Sequence, residues 1–173
     1  TLFDNSYASA CVFAGNRADT ALLGGDGAIF GSTLFGNACP VIATSANARF
    51  FNSLLDGNGA RGTAFTDQGG NFAWNFTDAD VLPAGIVRKD AFLVDPAHGD
   101  FRLAKASPAI DAGATAAGIT TAIAPYVSTT DLAYAMPRVT DGVLTPGARQ
   151  DDFVPSVCIV CPNGGLAIAG GQA

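Results

Sequence analysis

The chain has 173 residues, 49% of them hydrophobic and only 14% charged, a length that fits one domain burying roughly 70% of its unfolded surface. Against 9 basic residues stand 15 acidic ones, all aspartate, and the net charge of −6 leaves no basic face for nucleic acid or for an anionic membrane surface. With no glutamate and 21 glycines, the composition favours strands and tight corners over exposed helix faces.

No signal-peptide pattern opens the chain, which starts at Thr1 and reads as a processed piece of a longer precursor. No apolar run reaches the ~18 residues of a membrane-crossing helix, so membrane insertion is not expected. From the first residues onward a phrase then returns every 21 positions. Val12-Phe13-Ala14-Gly15-Asn16 recurs as Thr33-Leu34-Phe35-Gly36-Asn37 and as Leu54-Leu55-Asp56-Gly57-Asn58. An apolar residue stands three places before each Asn, Gly stands directly before it, and Cys11, Ser32 or Ser53 stands five places before. A short, fixed period of this kind writes out a stackable unit, here one coil of a parallel β-solenoid. Each coil holds two apolar strand columns: Phe13, Leu34 and Leu55 form one, and Ile29 and Phe50 belong to the other. The Gly suits a corner with positive φ, and stacked Asn amides at that corner can pair along the axis. A fourth, shortened coil ends at Gly69-Gly70-Asn71-Phe72-Ala73-Trp74-Asn75. The expected fold class is all-β, with coils over residues 1–90, an irregular closing region over 91–155 and an apolar hairpin tail over 156–173.

In the closing region, Pro96 to Gly99 reads as a turn between two short strands. Ser107, Pro108 and Gly113 read as the cap, first position and end of a single helical turn. The run Asp95-Pro96-Ala97-His98-Gly99-Asp100-Phe101-Arg102-Leu103, followed by Ser107-Pro108-Ala109-Ile110-Asp111-Ala112-Gly113, resembles the C-terminal part of right-handed parallel β-helix proteins. These are the choice-of-anchor Q domain proteins of the pectate-lyase-like superfamily. Thr130-Asp131-Leu132-Ala133-Tyr134-Ala135-Met136-Pro137-Arg138 is similar to a second element of that family, and residues 146–153 are a degraded version of its last. The resemblance implies a right-handed β-helix in an extracellular or cell-surface protein, and polysaccharide as a possible partner.

Superfamily enzymes that cleave polysaccharides use an Arg or Lys base beside Ca²⁺-binding Asp residues, or an Asp cluster. In a solenoid such groups would recur near 21-residue offsets, and no such charged column is present. Asp78 and Asp80 are the closest carboxylate pair, with Asp67 near them. They fit solvated turn residues and also a Ca²⁺ site; no other cofactor is expected. Arg102, Asp100 and Asp111 read as a structural pair and cap, and His98 as an exposed turn residue. Asn75-Phe76-Thr77 matches a glycosylation sequon. Phe30, Phe35, Phe50, Phe51, Phe72 and Trp74 read as a core stack, with a sugar-binding strip as the alternative.

Beyond Pro155 the chain departs from the family. Two apolar runs, 157–161 and 166–169, flank Pro162-Asn163-Gly164-Gly165 and predict a hairpin with both faces covered. Cys11, Cys39, Cys158 and Cys161 are expected to be oxidised in an extracellular chain, by pairings the sequence does not choose. Function divides among a structural or adhesive module, a polysaccharide lyase or hydrolase, and a carbohydrate-binding module; the missing charged columns favour the first. Self-association is expected head to tail, with Val157, Ile159, Leu166 and Ile168 of one subunit meeting Leu2 and Phe3 of the next, a contact that generates filaments.

Overall fold

A computed structural model describes residues 3–59, 65–76, 82–115, 139–140 and 143–147. Strands of two to four residues separated by sharp corners wind the chain into coils, and corresponding strands of successive coils pair in parallel. The first sheet contains β1 (Phe3–Asp4), β4 (Ala21–Gly24) and β7 (Val41–Ala43). The second runs β2 (Tyr7–Ser9), β5 (Ala28–Phe30), β8 (Ala48–Phe51), β10 (Phe65–Asp67). The third runs β3 (Val12–Ala14), β6 (Thr33–Phe35), β9 (Leu54–Asp56), β11 (Phe72–Trp74). The molecule is thus a parallel β-helix, as the repeat predicts.

The two expected columns are both present. Phe13, Leu34, Leu55 and Ala73 stand in register in the third sheet, and Ala8, Ile29 and Phe50 in the second. Leu22, Leu23 and Ile42 complete one continuous interior with them. The Phe65 ring continues the second column, its centroid 4.4 Å from that of Phe50. The fourth coil is shortened, its Asn71 bonding Ser53 across 18 residues where earlier rungs span 21. Beyond it Leu82 and Ile86 bury themselves in the same interior, and Val87 pairs in parallel with Phe72. The C-terminal end of the coil interior is therefore covered by the chain's own next turn.

The closing region does not continue the stack; it lies along its side. β12 (Leu93–Asp95) and β13 (Asp100–Leu103) form an antiparallel hairpin around a 3₁₀ turn at Pro96–His98, with Gly99 at φ 84°, the predicted strand–turn–strand. Because side chains alternate across a strand, Leu54 and Phe72 point out of the stack while Leu55 and Ala73 point in. The outward pair is buried against Ala91, Leu103 and Ala109, and Phe101 sits 5.8 Å from Phe35, ring centre to ring centre. Residues 88–104 thus form a strap over part of the third sheet's outer face, covering Phe35, Leu54 and Phe72 while Ala14 and Trp74 stay exposed.

The expected helical turn after Ser107 is replaced by two overlapping tight turns, closed by Ile110 N–H to Ser107 O and Ala112 N–H to Ala109 O. Ser107 still works as a cap: its Oγ accepts the Ala109 N–H at 3.1 Å and donates to Ala91 O. Asp111, at φ 51°, leaves the helical region before a full turn can form. A short antiparallel pair, β14 (Val139–Thr140) and β15 (Val143–Leu144), follows, and Thr115 bridges to Val143. The predicted tail hairpin lies outside the described residues.

Candidate functional site

Two polar ladders run down the corners of the stack, and they account for the repeated phrase residue by residue. After the third-sheet strands, Gly15, Gly36 and Gly57 adopt φ of 64°, 60° and 61°. A Cβ at Gly15 or Gly36 would meet no atom within 4 Å, so conformation and not space demands glycine there. The corner turns each following Asn inward. Asn16 Nδ2 donates to Asn37 Oδ1 at 2.9 Å, and Asn37 Nδ2 donates to Asn58 Oδ1 at 2.8 Å. The same oxygens accept the Asn16 and Asn37 backbone N–H groups, and each second amide hydrogen returns to a carbonyl, Asn37 to Phe13 O and Asn58 to Leu34 O. Buried backbone groups that the corner would orphan are thereby paired.

The second ladder explains the residue five places before each Asn. Ser32 Oγ accepts the Cys11 N–H, Ser53 Oγ accepts the Ser32 N–H, and Asn71 Oδ1 accepts the Ser53 N–H. Cys11 occupies the serine position of the first coil, its Sγ donating to Ser9 O at 3.2 Å. Cys11 and Cys39 are both free, so the expected oxidation is not met at these two. The corner geometry calls for a small donor at position 11 and an apolar group at position 39, where Cys39 is buried and burial pushes its thiol pKa up. Cys158 and Cys161 lie outside the described residues.

The predicted site residues separate. Phe3 belongs to β1, in register with Leu23. Leu2, Val157, Ile159, Leu166 and Ile168, and the carboxylate pair Asp78 and Asp80, lie outside the described residues. Asp67 Oδ1 accepts from Gly69 N and Asn71 Nδ2, which makes it a corner residue. Arg102 grips Asp100 bidentately, Nε to Oδ1 at 2.9 Å and Nη2 to Oδ2 at 2.6 Å. Asp111 instead meets Thr145, through its N–H and Oδ1. His98 is 83% exposed beside Asp95, at 2.9 Å. Phe30, Phe50, Phe51 and Phe72 are buried and Phe35 lies under Phe101, so the aromatics are core; Trp74, 47% exposed, is the exception. Asn75, of the sequon, is exposed at φ 54°. Among the described residues no group of three or more His, Cys or Asp side chains is placed to hold a metal, and no helix is long and apolar enough to cross a membrane.

Two features escape the sequence reading. Asn52, at φ 46°, knits the strap region to the stack: its Oδ1 accepts Ala114 N–H at 2.7 Å and its O accepts Gly147 N–H at 2.9 Å. Its Nδ2 is buried without a hydrogen-bond partner. Asp56 is the other. It stands in the outward column Ala14–Phe35–Asp56–Trp74, where its neighbours are apolar. Burial, and next the charge of Asp90, push its pKa up from 3.8 to about 6, against the lowering effect of the Gly57 N–H. The one acidic residue in that column was the signal available in the sequence.

Compared with family models, curated proteins and solved structures, the chain gives no match.

Proposed function

We propose that the chain is a non-catalytic structural or adhesive β-helix module of an extracellular or cell-surface protein, and that it associates end to end with copies of itself. The N-terminal face of the coil stack carries this reading. There β1, β2 and β3 are edge strands, and the interior residues Ala8 and Phe13 are half-uncovered while Ile29 and Leu34 below them are fully buried. The amide-to-amide bonds of the Asn ladder run one way, Asn16 Nδ2 to Asn37 Oδ1 and Asn37 Nδ2 to Asn58 Oδ1, so an Asn in a further coil on this face would donate to Asn16 Oδ1. A further coil laid on this face, from preceding residues of a longer protein or from a second copy, would extend both columns and the ladder.

In the 173-residue chain the apolar runs holding Val157, Ile159, Leu166 and Ile168 supply strands for that face, beside Leu2 and Phe3. Deleting residues 156–173 and measuring particle size by light scattering and electron microscopy tests this. Loss of elongated particles on deletion is the expected result; a strictly monomeric intact chain at high concentration, or unchanged particles after deletion, refutes it.

Carbohydrate binding is the second reading, supported by the exposed Trp74. Trp74 borders an open groove of about 210 Å³ with Asn75, Phe76 and Arg88. Trp74 is the chain's only tryptophan, so its fluorescence during titration with acidic and neutral polysaccharides reports on the surroundings of that one side chain. Release of unsaturated or reducing ends in the same mixtures would favour a lyase or hydrolase instead. The likeness of residues 95–113 to choice-of-anchor Q proteins supports membership of the pectate-lyase-like superfamily. The structural reading requires no cofactor; Ca²⁺-dependent stabilisation, lost in Asp78→Asn and Asp80→Asn, would instead support a cation site at that pair.

A further inference from the structure

One rule joins each third-sheet strand to the next. Val12 pairs with Thr33 and Thr33 with Leu54, always in parallel. The first residue of each strand donates its N–H to the corner residue of the coil before, Thr33 to Cys11 O and Leu54 to Ser32 O. At β3 this rule has no partner strand to act on. Cys11 O and the Gly15 N–H face β6, so by the alternation of a parallel ladder the N–H and C=O of Val12 and Ala14 face the open side. Phe13, at the head of the inward column, is half-buried where Leu34 beneath it is fully buried.

The C-terminal segment of the sequence carries the same phrase. Cys158-Ile159-Val160-Cys161-Pro162-Asn163 repeats Cys11-Val12-Phe13-Ala14-Gly15-Asn16, with Cys five places before Asn, two apolar residues after the Cys and a small one next. It departs at Pro162. Proline can neither adopt the φ of 64° that Gly15 holds nor make the bond that the Gly15 N–H gives to Phe35 O. A strand here stops at Cys161 without turning the corner into another coil, as suits the outermost strand of a sheet.

We infer that residues 158–161 of one copy add a parallel strand to β3 of the next, with Cys158 over Cys11, Val160 over Phe13 and Cys161 over Ala14. The inference rests on the end-to-end reading above and gives that contact its segment and register. Val12 N–H then donates to Cys158 O and Ala14 N–H to Val160 O, in the manner of Thr33 N–H to Cys11 O. Val160 covers Phe13 on the inward side, while Ile159 and Cys161 point out beside Val12 and Ala14. The far end of another copy's stack does not fit the same face, because its last coil is already paired with Val87 and covered by Leu82 and Ile86. Gly147 lies beside Thr33 and Leu54, and the eleven residue steps from there to Cys158 span up to about 36 Å, enough to reach a neighbouring copy. Strands so paired are ~4.8 Å apart, which brings the Cα atoms of Cys11 and Cys158 within disulfide range.

Particles assembled from a mixture of ordinary and isotope-labelled chains, then treated with copper–phenanthroline and dissolved oxygen, test the register. Oxygen takes two electrons and two protons from each thiol pair that closes, and non-reducing peptide mapping reads which thiols have joined. A Cys11–Cys158 bond between differently labelled chains is the expected main link. Hydrogen exchange in the peptide over residues 11–16 is expected to slow about tenfold on assembly. Val160→Asp, which sets a charge on Phe13, abolishes both effects, and Cys161→Ser, on the outward side, keeps both. A main link from Cys11 to Cys161, the antiparallel arrangement, or particles in which Cys11 links to neither, would overturn the register and leave end-to-end assembly standing. Cys11–Cys158 links confined to equally labelled chains would overturn the intermolecular strand, and the absence of any particles would overturn it together with the end-to-end reading.

Discussion

Replacing Asn37 by Ala removes the centre of the amide ladder and gives the sharpest test of how the stack is held together. Asn37 Oδ1 accepts both the Asn16 N–H and Asn16 Nδ2, and its own Nδ2 donates to Asn58 Oδ1 and Phe13 O. Without it the Asn16 N–H loses its acceptor and Phe13 O loses its bond from the Asn37 amide, while Asn58 Oδ1 keeps the position-37 backbone N–H. A buried polar group left unpaired costs ~1–3 kcal/mol, and water can reach the half-buried Asn16 side, so the expected loss is about 3 kcal/mol. Asn58→Ala strips the Asn37 backbone and side chain of their acceptor and Leu34 O of its donor, all fully buried, and costs at least as much. Asn16→Ala forfeits one side-chain bond and keeps its backbone donor, about 1 kcal/mol. The order Asn58 ≥ Asn37 > Asn16 is read from urea unfolding followed by far-UV circular dichroism. For a chain of this size 3 kcal/mol lowers Tm by about 10 °C. The Asn37→Ala/Asn58→Ala double variant loses less than the sum, because the two share a bond. Equal, small losses at all three positions would refute the ladder as a stabilising element.

Other expectations are smaller. Gly36→Ala, with open space around its Cβ, costs about 1 kcal/mol from backbone conformation alone, whereas Gly70→Ala drives a Cβ into Asn52 Oδ1 and Ala114 N and costs clearly more in the same assay. Phe101→Ala removes the ring over Phe35 and costs about 3 kcal/mol, with hydrogen exchange rising first in β12 and β13. Asp56→Asn changes the pH dependence of stability. The wild-type contribution is complete below pH 3.8, is lost as pH rises through about 6, and is absent from the variant. Screened by half-exposure, the difference between them is about 1 kcal/mol at pH 7, favouring the variant in unfolding titrations at pH 4 and pH 7. Iodoacetamide under native conditions modifies Cys11 ahead of Cys39, whose buried thiol is kept protonated; mass-mapped rates that are equal would contradict the burial of Cys39.

The coil stack was legible because each coil states its requirements again. Gly36 needs positive φ and Asn37 needs a neighbour of its own kind 21 residues away, so three copies of the same need expose the period and the pairing together. The strap made no comparable statement. Its contacts occur once each and join residues far apart in sequence: Phe101 over Phe35, Thr145 against Asp111, and Ala114 N–H to Asn52 Oδ1 across 62 residues. The hairpin at 93–103 could be read from its turn residues, but no local pattern says that it lies on the outer face of the third sheet. Leu54 and Phe72 carried a faint signal, since Leu54-Leu55 and Phe72-Ala73 are apolar at both alternating positions, as a strand covered on both faces requires. Asp56 is the counterpart of that signal. A carboxylate in an otherwise apolar outward column is unremarkable if the face is wet and unfavourable if the face is covered, and only the placement of the strap decides between the two. Burial beside the strap is the largest cause of the raised Asp56 pKa.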